Sequence, residues 1–127
     1  DNLWVGTTVE NQKYADERIP ELLKIDAKVR FLSCEPLLGP VKLFGFNSPT
    51  WGFIGTPIHW VIAGGESGSK ARPTRPDWFS WLRDQCKAAG VAFHFKQWGE
   101  TSADGVRIGK KTAGRILDGR TWDDLPG

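Results

Sequence analysis

Along the chain, short apolar runs rich in β-branched and aromatic residues alternate with stretches whose apolar positions recur every three or four residues. Leu3 to Val9, Val29 to Cys34, Trp60 to Ala63 and Val91 to Gln97 read as four strands. Asn11 can cap a helix running through about Arg18, and Pro20 begins a further helical turn to about Ile25, because proline suits the first helical position. From Asp77 to Ala89, the residues Trp78, Trp81, Leu82, Gln85, Cys86 and Ala89 share one helical stripe, which Gly90 ends. Residues 39–58 break the rhythm: glycine, proline and aromatics replace any period, so this irregular insertion is expected as a lid or partner surface. After Gly99, short β-like runs between glycines predict a C-terminal β-hairpin tail over residues 100–127.

Strands separated by helices call for a parallel sheet with right-handed crossovers, since a tight turn cannot reach a parallel neighbour. The expected fold class is therefore α/β: half of a (β/α) barrel, or the equivalent open sheet. The chain is already in a strand by Leu3 and has no initiator methionine, so a single domain over residues 1–127, the C-terminal half of a larger barrel, is expected.

Splitting each strand into its two faces sharpens the picture. Val5, Thr7 and Val9 oppose Gly6, Thr8 and Glu10; Leu32 and Cys34 oppose Phe31, Ser33 and Glu35. Val61 and Ala63 oppose Trp60, Ile62, Gly64 and, if the strand stays extended, Glu66; Phe93 and Phe95 oppose His94, Lys96 and Trp98. One face is apolar throughout, while the other turns polar toward the C-terminal end. A sheet covered on both sides would be apolar on both. Barrels place their chemistry at the C-terminal ends of their strands, so Glu10, Glu35, Glu66, His94 and Lys96 form the candidate catalytic set. Carboxylates gathered in this way repel unless a cation lies among them, a role open to Lys96, a metal ion or a cationic ligand.

Composition adds bounds. A chain of 127 residues with 39% hydrophobic content and seven tryptophans can bury one ordinary core, and a net charge of +2 argues neither for nor against nucleic acid. No apolar run approaches the about 20 residues of a membrane span, so a cytoplasmic location is expected. Cys34 and Cys86 have no close-spaced partner and read as core thiols, with no metal site among them. The glycines of Gly64-Gly65-Glu66-Ser67-Gly68 admit either a tight turn or close backbone contact to a cofactor's adenosyl or carboxylate group; a phosphate-loop reading lacks its lysine. His94 reads equally as a buried structural imidazole. Trp51 and Trp98 could stack on bases, with Lys110, Lys111 and Arg115 meeting a phosphate backbone, which defines the alternative: a non-catalytic nucleic-acid- or protein-binding module.

The stretches TTVENQKYADERIP, RFLSCEPLLGP, WVIAGGESG, LRDQCKAAGVAFHFKQWGE and GKKTAGRILDGRTWDDLP resemble the C-terminal half of an uncharacterised phage- and prophage-encoded family. That family is similar to radical S-adenosylmethionine proteins distantly related to spore photoproduct lyase. The resemblance covers nearly the whole chain apart from residues 44–57. It implies a (β/α) barrel whose missing N-terminal half, the expected partner, binds a 4Fe-4S cluster through three closely spaced cysteines. That motif is absent here, so Cys34 and Cys86 carry no cluster role; S-adenosylmethionine and the cluster are expected only in the full-length parent. Glu10, Glu35, Glu66 and Lys96 to Trp98 match recurrent family positions of unassigned role. A fragment of this kind would also expose strand edges that favour self-association.

Overall fold

The computed structural model describes residues 2–43 and 58–126. The elements run β1 (Trp4–Thr8), α1 (Gln12–Leu23), β2 (Val29–Cys34), β3 (Trp60–Gly64), α2 (Pro76–Ala89), β4 (Ala92–Gln97), α3 (Lys110–Ala113) and β5 (Trp122–Asp123). They build one sheet in the order β1-β2-β3-β4-β5, with the first four strands parallel and β5 antiparallel to β4. The fold is thus α/β with a mostly parallel five-stranded sheet. Most of the insertion, with Trp51, lies outside the described residues.

Helix α1 begins where Asn11 accepts a hydrogen bond from the Tyr14 amide at 3.2 Å, as its cap role requires. It does not stop before Pro20. A single helix runs to Leu23, because Ala15, Ile19, Leu22 and Leu23 form one buried stripe that continues across the proline. Asp16, whose carbonyl loses its intrahelical donor at Pro20, is exposed to water.

Helix α2 has proline in its first turn and ends on Gly90 in the left-handed conformation (φ 72°). Its buried stripe is Phe79, Leu82 and Cys86, rotated from the stripe expected: Trp78 packs at the margin of the core and Trp81 is 42% exposed. The cause is Phe79, whose ring meets Phe95 at 4.9 Å and Trp98 at 5.3 Å and so turns the helix onto the sheet.

Leu32, Cys34, Val61, Ala63, Phe93 and Phe95 are buried within one hydrophobic cluster that also takes in the apolar stripes of α1 and α2. Each large side chain removed from water there contributes about 1.5–3 kcal/mol. The two-faced split of the strands is therefore real. The opposite face carries Phe31, Ser33, Trp60, Ile62 and His94, which are only partly buried, and Gly6, Thr8 and Lys96, which are exposed.

The tail is not one hairpin. It contains two isolated antiparallel bridges, Thr101 with Arg107 and Leu117 with Arg120, before β5 pairs with the sheet edge at β4. Trp98 holds it in place: its amide donates to Gly114 O at 3.0 Å and its indole N–H to Ile116 O at 2.7 Å.

Candidate functional site: charged strand ends above an aromatic floor

The parallel register arranges the half-exposed face in layers. Gly6, Phe31, Trp60 and Ala92 lie side by side across four strands, and Thr8, Ser33, Ile62 and His94 form the next layer toward the C-terminal ends. The first of these layers is aromatic. Phe31 lies over Gly6, where a Cβ would meet its ring at 2.4 Å, and the Phe31 and Trp60 rings are 6.0 Å apart. Trp60 also meets Trp4 and His94 edge-on, each at 6.2 Å. Above the second layer come Glu10 and Glu35, just beyond β1 and β2, and Lys96, in β4 just before its last residue, Gln97.

Each candidate glutamate meets its own cation. Glu35, just beyond β2, faces Lys96 Nζ at 3.4 Å. Glu10, just beyond β1, accepts from Arg18 at 3.3 Å, while the same guanidinium donates to the Thr8 carbonyl and hydroxyl at 2.9 and 2.8 Å. Glu66, in the loop after β3, is gripped by Arg72, whose hydrogen bonds hold its carboxyl down to about 2. The repulsion expected among the carboxylates is thus relieved by three separate side chains. The sequence does not assign Arg18 to Glu10 or Arg72 to Glu66. Neither pair lies within one helix or strand, since Glu10 precedes α1 and Glu66 and Arg72 share a loop, so no period could have linked them.

The other expected residues divide. Gly65 is required by packing, since a Cβ there would lie only 1.9 Å from the Trp98 carbonyl, whereas one on Gly64 would make tight contacts of 3.3 Å with the Gln97 carbonyl and the Glu35 carboxylate. Ser67 is exposed and accepts from Gln97 Nε2 at 3.1 Å. His94 lies on the half-exposed face with its Nδ1 buried and without a hydrogen-bond partner among the described residues, 3.8 Å from Asp123 Oδ1.

Trp98 is not a stacking platform. The register shifts at Ala63/Gly64, so that Gly64 pairs with Gln97, and the indole turns into the core at 4% exposure, against Phe79 and Phe95. Lys110, Lys111 and Arg115 instead line one cavity with Lys96.

The described residues do not fit an iron–sulfur cluster. Cys34 and Cys86 are both buried, and burial pushes both thiols up, Cys86 to about 12. No group of three or more His, Cys, Asp or Glu among the described residues could hold a metal ion.

A family model described as "Protein of unknown function (DUF5131)" matches residues 1–126. The chain belongs to the DUF5131 family. No curated protein and no solved structure matches it. Among the described residues of this family member, no helix is long and apolar enough to cross a membrane.

Proposed function

We propose that this chain is one wall of the active site of a barrel enzyme of the radical S-adenosylmethionine class, in the phage- and prophage-encoded branch that its motifs resemble. The observation that carries the reading is the one-sided sheet. Four parallel strands pack their helices on one face, and the other face climbs from an aromatic layer to charged C-terminal ends. In a barrel that second face is the lumen, and β1, which has no outer neighbour among the described strands, is the edge at which the sheet would continue.

The cluster belongs, on this reading, to another part of a longer protein, since the thiols here are buried in the core. When bound, the cluster and S-adenosylmethionine supply the radical chemistry. The residues of this chain bind and orient. Glu66, held in direction by Arg72, accepts hydrogen bonds from a polar ligand group near Ser67. Lys96 offsets the charge of Glu35 and of an anionic ligand group. Trp60 and Phe31 close the floor of the chamber and exclude water from it.

The test uses the longer protein that this reading requires, purified without oxygen. Iron and sulfide are measured first, then reductive cleavage of S-adenosylmethionine, with Glu66→Gln and Lys96→Ala alongside. A cluster and cleavage that both substitutions weaken are the expected results. A protein with neither cluster nor cleavage would overturn the proposal.

A further inference from the structure

Beside the Glu35–Lys96 pair, positive charge gathers around one shallow, open depression. Lys96 and Gln97 at the end of β4 and Lys110, Lys111, Gly114 and Arg115 around α3 line a cavity of about 550 Å³. These residues are far apart in sequence and meet because Trp98 binds the tail at Gly114 and Ile116, which sets α3 beside the end of β4.

The charges there do not cancel. Lys96 is paired with Glu35 and Arg115 with Asp123, whereas Lys110 and Lys111 are exposed and in no ion pair among the described residues. Four cations therefore meet two carboxylates, which leaves a surplus of positive charge facing whatever settles in the depression. The cavity also borders the uncovered sheet face. His94 is the next outward-facing residue before Lys96 on β4, and from it the edge-on contacts lead through Trp60 to Trp4, which is 47% exposed. A row of partly exposed rings that begins beside His94 and ends in the exposed Trp4 gives such a cavity a stacking track, with phosphate on the cations and bases on the rings.

We propose that the Lys96–Lys110–Lys111–Arg115 cavity binds a phosphate group, presented by the backbone of a single-stranded nucleic acid that runs over the aromatic face. The site stands on its own charge and on the Trp98 tether, and does not depend on the barrel reading. Free inorganic phosphate offers the same chemistry, so the test separates the two sources.

The test is fluorescence anisotropy of the protein with a labelled oligothymidylate of about 12 nucleotides, at several salt concentrations. The expected result is affinity that falls with salt, and a Lys110→Ala/Lys111→Ala double variant that binds about tenfold more weakly, with a salt slope smaller by about 1.4. A Lys24→Ala/Lys28→Ala variant, which removes two exposed lysines before β2, binds as the parent does. Circular dichroism confirms that the variants fold. Affinity that rises with oligonucleotide length supports a backbone phosphate. Displacement by inorganic phosphate with no dependence on length supports the cavity but overturns the nucleic-acid source. Absence of binding to either probe at about 50 mM salt, or equal weakening by the Lys24/Lys28 pair, overturns the proposal altogether.

Discussion

Arg72 and Glu66 are joined as a fork: Nε and Nη2 of the guanidinium each donate to a carboxylate oxygen at 2.9 Å, and the Arg72 amide adds a third bond at 2.8 Å. Two planar groups locked in this way fix the direction of the Glu66 carboxylate in a loop that has no other regular structure.

The fork keeps Glu66 charged further into acid. Its carboxyl is lowered from an ordinary 4.5 to about 2, so the pair's contribution to stability is fully present above about 4.5 and is lost as pH falls toward 2. Carbon-detected NMR titration of Glu66 should show a midpoint near 2. Arg72→Ala should return it toward 4.5, and Arg72→Lys, which cannot form the fork, should return it only in part. An unchanged midpoint in Arg72→Ala would show that the fork is not the cause.

The Glu35–Lys96 pair should matter little to stability. Lys96 is 53% exposed and its nitrogen lies 3.4 Å from the carboxylate, so Lys96→Ala should change unfolding free energy by less than about 1 kcal/mol. Urea denaturation measures this directly. A loss of several kcal/mol would make Lys96 a structural residue and disqualify it as a clean probe of the site.

Glycine 65 should be intolerant in a way that Gly6 is not. A Cβ at Gly65 meets backbone, the Trp98 carbonyl, whereas one at Gly6 meets the Phe31 ring, which can rotate away. Gly65→Ala should therefore cost about 2–4 kcal/mol and Gly6→Ala distinctly less, by chemical denaturation. The reverse order would contradict the close approach of β3 and the Trp98 segment.

Trp98 should behave as a core residue and a tether. Trp98→Ala should destabilise by about 3–5 kcal/mol, and Trp98→Phe, which keeps a ring but drops the bond to Ile116, by about 1–2 kcal/mol. Hydrogen exchange should show faster exchange in residues 100–126 of the phenylalanine variant than in α1. Uniform exchange across both would remove the tether.

Neither thiol should react in the folded protein. With both cysteines buried and both thiols raised, a disulfide reagent at pH 8 should modify Cys34 and Cys86 only after denaturant is added. Rapid modification of either in the native state would contradict the packing of the core.

Much of this architecture follows from local pattern alone. Alternation in Phe31-Leu32-Ser33-Cys34 and in Phe93-His94-Phe95-Lys96 separates core from open face without any knowledge of the fold, because a strand must send neighbours to opposite sides. Asn11 and Gly90 mark helix ends for equally local reasons. Partnership is different. Arg18 and Arg72 find Glu10 and Glu66 only because loops bend back, Trp98 turns inward only because the register shifts beside it, and Lys96 meets Lys110 and Lys111 only because the tail is pinned to that indole. Periodicity reports which side of an element a residue occupies; which residue faces it across space depends on loop paths and packing, and those are properties of the whole folded chain.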